Sequence, residues 1–360
     1  MKNLFLYALL LTSFLIKAQT TAIDNTNFDQ AINICLTTNP VDGMCSDSEY
    51  GAMPDWDVSN VTNMLDAFFG KSDFNGDISN WDVSNITNMR SMFRLASAFN
   101  GDISNWDVSS VADMAFLFAY ASSFNGDISN WNVSRVTKMQ AMFSEASVFN
   151  SDISNWDVSS VTNMMGMFDK ASVFNSDISN WDVSSVTNMI IMFDKAYSFN
   201  QDIGSWDVSN VTTMRDMFDD SGLSTLNYDA LLNGWSQQTV QQNIVFGAAG
   251  VAYCDGEDAR QNLIDTYNWT FTDAGSDCTT LVLEDQNRIA IAVYPNPAKD
   301  KLSILGLSKP SKVSIYNVLG KLVFSITTSS EVDLKGLQSG VYILKIMDQQ
   351  KEIIRKFIKN

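Results

Sequence analysis

The chain has 360 residues and a formal net charge of −18, with 23 Lys/Arg against 41 Asp/Glu and no histidine. The missing imidazole excludes Ser–His–Asp and Cys–His catalysis and removes the commonest zinc ligand. Residues 291–360 hold 11 Lys/Arg against 5 Asp/Glu, whereas residues 1–290 hold 12 against 36, so the acidic body repels phosphate backbones and no nucleic-acid partner is expected.

Residues 1–18 read as a secretory signal peptide. Lys2 gives a positive start, Leu4 to Ile16 form an apolar run too short for a comfortable membrane span, and Ala18 marks the cleavage point. No later stretch is long enough to serve as a transmembrane segment. Export makes disulfides permissible. Four cysteines allow three pairings, and sequence neighbours favour Cys35–Cys45 and Cys254–Cys278.

Residues 19–50 read as an N-terminal cap, in which Asp24–Leu36 puts Phe28, Ala31, Ile32 and Cys35 on one helical face, with Asn25 or Thr26 as its cap. A 25-residue period then fills residues 51–222. Trp56, Trp81, Trp106, Trp131, Trp156, Trp181 and Trp206 keep that step, and so do the columns beginning at Met64 and Phe68. A fixed period in this range predicts a solenoid of seven stacked coils. Within a coil, Ile78-x-x-Trp81-x-Val83 has the spacing of a leucine-rich-repeat strand. Ser84 stands at a helix N-cap, and Ile86, Met89, Met92–Phe93 and Ala96 make one stripe of a short helix. The pairs after the first Met vary freely, which places them on the outer face.

Residues 223–278 lose the period and predict a C-terminal cap: helices at Asn227–Trp235 and Asp255–Tyr267, the second capped by Asp255, with strands at Asn243–Ala248 and Trp269–Asp273. Residues 279–290 read as a linker, with an edge strand at Leu281–Gln286 as the alternative. From 291 to 360, short alternating strands split by Pro, Gly and Asn turns predict a small β-sandwich.

The repeats closely resemble the BspA-like leucine-rich-repeat surface proteins, whose unit "dISnWdVSsVtnMsxMFxxAssFNqdI" runs here from Asp77 to Ile203; the likeness covers roughly 22–278. The final 70 residues resemble a type A sorting domain of the type IX secretion system. The motifs are Tyr294-Pro295-Asn296-Pro297, Tyr316–Val323 with Gly320, Leu334–Ile346 with Gly340, and the basic end Arg355–Asn360 with Lys356 and Lys359. The expected fold is therefore an α/β leucine-rich-repeat-like solenoid, each coil a short strand plus a short helix, followed by an all-β immunoglobulin-like sandwich. The resemblance implies a partner in the type IX secretion machinery, reached through 291–360, and export across the outer membrane. It also implies a cell-surface or released protein that binds an extracellular protein or glycan.

Two columns of aspartate run along the repeats. One is Asp77, Asp102, Asp127, Asp152, Asp177 and Asp202; the other starts at Asp57 and Asp82 and is interrupted by Asn132. Stacked carboxylates about 4.8 Å apart repel by roughly 0.9 kcal/mol in water, while a hydrogen bond to a charged group contributes about 1.5–3 kcal/mol. Turn capping is therefore the preferred reading, with Ca²⁺ held within the first column as the alternative. The tryptophans and methionines read as core, and the column from Asn75 to Asn200 as an asparagine ladder bonding the turn backbone. Polar residues that recur in every coil give no single active site. A non-catalytic binding or adhesion protein without a cofactor is expected; the alternatives are a Ca²⁺-assisted polysaccharide-binding or polysaccharide-degrading protein and a structural spacer.

Overall fold

The computed structural model describes residues 21–278, 292–294, 298–305, 307, 309–317, 320–328, 330–348 and 351–360. The expected signal peptide, the linker at 279–290 and the Pro295-Asn296-Pro297 motif lie outside the described residues. The chain divides into two compact units, 1–278 and 279–360.

In the first unit the 25-residue coils stack in register. Parallel bridges join Asn63, Asn88, Asp113, Lys138, Asn163, Asn188 and Thr213 in sequence. Every repeated Trp is buried, and from Trp81 to Trp206 the indole N–H crosses to the coil before, whereas that of Trp56 donates to the nearby Gly51 carbonyl at 3.0 Å. Trp81 donates to the Met53 carbonyl at 3.0 Å, Trp106 to Ile78 at 3.1 Å and Trp131 to Ile103 at 3.1 Å. Two Phe columns fill the rest of the core. Phe93 lies 5.6 Å from Phe118 along one column, Phe99 lies 6.1 Å from Phe124 along the other, and Phe93 and Phe99 stack across them at 3.9 Å. Such offset stacks add to the area each ring removes from water.

The expected strand at Ile78–Val83 and helix at Ile86–Ala96 do not form. Each coil is instead a chain of tight turns. Met89, Ser91, Phe93 and Leu95 donate their N–H groups to carbonyls of the next coil, at Asp113, Ala115, Leu117 and Ala119. The residues between them close turns within the coil: Met92 donates to Met89, Arg94 to Ser91 and Ala96 to Phe93. All seven N–H groups from Met89 to Leu95 except Arg90 thus find backbone partners, and the Asn88 side chain accepts from Arg90 at 3.0 Å. The geometry requires positive φ twice per coil, as at Ser91 (54°) and Leu95 (63°), or Phe116 (60°) and Tyr120 (62°). A left-handed residue with a side chain costs on the order of 1–2 kcal/mol. The coil-to-coil bonds and the buried aromatics offset that cost.

Both ends of the stack are covered. The N-terminal helix α1 spans Phe28–Thr38, starting later than the sequence suggested, and Asn27 at its N-cap makes no side-chain capping bond. Asn25 accepts instead from Thr62 N–H at 2.9 Å, standing where a preceding coil would. Phe28 meets Trp81 edge-on at 5.9 Å, and the Cys35–Cys45 disulfide ties α1 to the loop after it. At the other end come α2 (Thr225–Trp235), β1 (Val245–Ala248), α3 (Glu257–Tyr267) and β2 (Thr270–Asp273), with β1 and β2 parallel. The strand β1 continues the ladder: Phe218 donates to Gly247, and Gly247 to Met214. Gly247 is required there, because a Cβ would sit 2.1 Å from the Asp216 nitrogen. The cap also imitates the repeat, since Trp235 donates to Ile203 at 3.2 Å.

Asp255 does not cap α3, whose N-cap is Gly256. The buried Asp229 carboxylate, on α2, takes that role. It accepts from the N–H groups of Cys254, Asp255 and Gly256 at 2.9, 3.0 and 2.8 Å. The Cys254–Cys278 disulfide closes this cap, so both neighbour pairings form.

The second unit holds two sheets. The first has strands β3 (Ala292–Tyr294), β4 (Lys301–Leu305) and β7 (Glu331–Asp333) in the order β3-β4-β7. The other has β5 (Ser311–Asn317), β6 (Leu322–Thr328), β8 (Gly340–Asp348) and β9 (Lys351–Lys359) in the order β6-β5-β8-β9. Both are antiparallel. Leu302, Ile304 and Val332 of one sheet share a core with Val313, Ile315, Leu344, Ile346 and Phe357 of the other. Gly320, at φ 75°, turns β5 into β6; Gly340 begins β8, and Lys356 and Lys359 lie on β9.

Candidate binding face

The ladder of turns sorts side chains in pairs. Met89, Met92, Phe93 and Ala96 enter the core, while residues 90–91 and 94–95 stand on the opposite side, facing away from it. The same pairs recur in each coil, so the variable residues form four parallel columns across one face. The expected outer face therefore exists, built on turns and not on a helix. Several of its members are half-buried or buried, Ser91 and Ala115 among them, because side chains in adjacent coils cover one another.

This face changes chemistry along its length. In the first three coils it carries Leu65, Phe69, Leu95 and Tyr120, all exposed, with Phe69 at 44% and Tyr120 at 38%. Two arginines lie among them, over aromatic rings. The Arg90 guanidinium stands 5.0 Å from the Phe116 ring centroid; that of Arg94 stands 5.2 Å from Phe116 and 5.6 Å from Phe69. The Arg94 Nε is buried and has no hydrogen-bond partner. Further along, Asp169, Asp194 and Asp219 stack in the column that Phe69 and Arg94 begin. The Ser144 hydroxyl donates to Asp169 at 3.2 Å, and Lys195 pairs with Asp194 at 3.2 Å. Burial pushes the Asp169 carboxyl up from its ordinary value, against the lowering effect of Lys170. Burial also raises Asp219, against the Ala249 N–H that it accepts.

The two aspartate columns singled out in the sequence lie elsewhere, on exposed turns. Each carboxylate closes its own turn: Asp102 accepts from both the N–H (3.0 Å) and the hydroxyl (2.7 Å) of Ser104, and Asp77 does the same with Ser79. Asp127 and Ser129 repeat the arrangement, and Asp152, Asp177 and Asp202 accept the N–H of the residue two places on. The serine hydroxyl, then the serine N–H, hold Asp77, Asp102, Asp127 and Asp152 below the usual carboxylate range. The asparagine ladder also forms, with Asn75 accepting from Asn100 N–H at 2.8 Å, Asn100 from Asn125 at 2.9 Å, and Asn200 from Ser224 in the cap at 2.9 Å.

These shifts set a pH dependence with two signs. Asp169 and Asp219 take up protons more readily folded than unfolded, so stability rises as pH falls through their raised values toward 3.8. The turn aspartates have depressed folded values, so their contribution is intact above the unfolded value and is lost as pH falls below it. Thermal melts from pH 7 to 2.5 are therefore expected to show a shallow rise and then a steep fall beginning near pH 4. A continuous loss from pH 6 downwards contradicts these assignments.

A nearly constant core carrying a variable face, joined to a separate two-sheet unit, defines a modular repeat protein. A family model described as "Mycoplasma protein of unknown function, DUF285" matches residues 41–156 and 142–250, together more than half of the chain, and the chain belongs to that family. A second, "Secretion system C-terminal sorting domain", matches residues 292–360. That domain marks the protein for type IX export to the cell surface or extracellular space, and no helix among the described residues is long and apolar enough to cross a membrane. An ulvan lyase, NLR42, of Nonlabens ulvanivorans is 31% identical over 105 residues, 28% of this chain and 19% of its own length. A solved structure of PorZ, an essential bacterial surface component of the type-IX secretion system of Porphyromonas gingivalis, is 24% identical over 25% of this chain and 13% of its own, with a TM-score of 0.18. A score that low establishes no common fold. The chain thus spans about a fifth of the lyase and about an eighth of PorZ.

Proposed function

We propose that the protein is a non-catalytic binding or adhesion protein, whose stacked coils present the variable columns to an extracellular protein or glycan. The observation that carries this reading is the division of labour within each coil. The core residues are held nearly constant over seven repeats, while the outer pairs range from Leu65–Asp66 to Arg90–Ser91, Ala115–Phe116 and Ile190–Ile191. A stack used only as a spacer needs no such variety. An extended face also lets one ligand engage several coils at once, as repeat proteins do. The likeness of the repeat to BspA-like leucine-rich-repeat surface proteins supports the adhesive role, and the sorting domain serves it as a cleavable export signal.

A second reading, action on a polysaccharide with Ca²⁺ held by the Asp77–Asp202 column, is favoured by the ulvan lyase relative. One experiment separates the two. The exported protein is applied to an array of matrix proteins and glycans, with and without Ca²⁺. Selective, saturable binding with every glycan left intact is expected, whereas shortened polysaccharide chains overturn the non-catalytic reading. Retention of nothing on the array overturns the binding reading itself.

A further inference from the structure

We propose that Arg90 and Arg94, set over the rings of Phe116 and Phe69, form a site for a single carboxylate- or sulfate-bearing sugar residue. The proposal rests on the binding reading above and names the ligand chemistry of one part of that face.

Four other cations of the ladder and its margin are paired with a carboxylate, and Lys71 donates to the Asn33 side chain at 2.8 Å. Lys138 reaches Asp113 at 3.3 Å, Lys170 reaches Glu145 at 2.8 Å, Lys195 reaches Asp194 at 3.2 Å, and Arg215 reaches Asp216 at 3.4 Å. Arg90 and Arg94 differ. Among the described residues neither guanidinium has a carboxylate within 4 Å or a side-chain hydrogen bond, although residues 1–290 carry 36 Asp/Glu. Two guanidiniums four residues apart thus stand without a carboxylate partner in an acidic body. Each is held instead by ring faces at 5.0 to 5.6 Å. A cation over a ring keeps its edge N–H groups free, and that planar edge matches a carboxylate or sulfate bidentately. The Arg94 Nε is buried and unpartnered, so the Nη groups of that guanidinium are the ones a ligand reaches.

The surroundings select the rest of the ligand. Exposed Phe69, Leu95 and Tyr120 border the two arginines, offering apolar and aromatic surface beside a fixed positive charge. A sugar ring carrying one anionic group meets both needs, its C–H face on an aromatic ring and its charge on the guanidiniums. A long polyanion is disfavoured, since past the fourth coil the face turns to Asp169, Asp194 and Asp219. A short determinant fits, at a chain end or a branch.

The test uses the full chain and calorimetric titration with three tetrasaccharides: oligogalacturonate, a sulfated carrageenan tetramer that carries no carboxylate, and the neutral cellotetraose. The carboxylate or sulfate probe, or both, is expected to bind at 50 mM salt and weaken at 300 mM, with cellotetraose at least ten-fold weaker. Which anionic arm binds tells the two sources of charge apart. Arg94→Gln and Arg90→Gln are each expected to lower affinity ten-fold or more with unchanged melting temperature. Arg94→Lys should recover little, because an ammonium lacks the planar fork that meets a carboxylate or sulfate bidentately. Equal binding of the neutral probe, wild-type affinity in both Gln variants, or binding of a Glu-rich peptide with all sugars silent overturns the proposal. If the Gln variants still bind their array targets as wild type does, this site is wrong and the broader binding reading stands. Silence of wild-type protein on every array spot removes that broader reading.

Discussion

Trp131→Ala is expected to lower stability by about 3–5 kcal/mol, the range for deleting a large aromatic from a packed core. Trp131 is buried in the fourth of seven coils, its ring lies 6.2 Å from Phe118, and its indole N–H is the partner of the Ile103 carbonyl at 3.1 Å. The substitution opens a cavity and removes one of the two hydrogen bonds on the Ile103 carbonyl, which keeps the Trp106 N–H at 3.2 Å. Its position adds a second effect. Each coil touches only its neighbours, so stability is a sum of coil and interface contributions. A weak interface at the centre therefore uncouples the halves, and a single thermal transition should broaden or split. Calorimetry reads both the drop of about 4–9 °C expected for a chain of this size and the change of shape. A loss below about 1 kcal/mol would mean that the tryptophan column is not the spine of the stack.

The second large effect belongs to the C-terminal cap. Asp273, whose side chain is 3% exposed, accepts from Arg260 Nε at 2.8 Å and Nη2 at 3.2 Å, and from the Tyr228 hydroxyl at 3.0 Å. Burial, and then Asp273, hold the Tyr228 hydroxyl well above its ordinary pKa, which keeps it a donor. Arg260 stacks between Phe271 at 4.7 Å and Tyr253 at 5.2 Å, so its charge cannot swing out to water without breaking that packing. Asp273→Ala is expected to cost about 3–5 kcal/mol, because removing one partner leaves a buried charge uncompensated. Replacing both, as Asp273→Ala with Arg260→Met, should recover much of the loss. Urea titrations of the four species close the cycle, and a coupling below about 0.5 kcal/mol would show the pair to be incidental.

The period, the stacking register and the buried columns could all be read from the sequence, since Trp, Met and Phe recur every 25 residues. So could the turn-closing aspartates and the asparagine ladder, because short Asx side chains bond backbone two residues on. The conformation of residues 86–96 could not. Met89, Met92, Phe93 and Ala96 satisfy helical spacing, yet the same spacing puts pairs in and pairs out along a chain of turns. What decides between them is the coil-to-coil ladder, a long-range pattern that no local window contains. It forces left-handed φ on Leu95, Phe116 and Ile191, residues that local preference places elsewhere. Asp229 was missed for a related reason, since its three N–H partners lie 25 to 27 residues away. The Arg90–Phe116 pairing joins different coils and shows in the sequence only once the columns are aligned.

The turn ladder carries the account, because it sets the variable pairs side by side on a rigid face. Helix content measures it most directly. The described helices, α1, α2 and α3, have 11 residues each, about a tenth of the chain. Coils built with a helix over positions equivalent to 86–96 would raise that to roughly three tenths across seven repeats. Far-ultraviolet circular dichroism of the exported protein should therefore report about one tenth helix. A value near three tenths would contradict the ladder, and the binding face built on it.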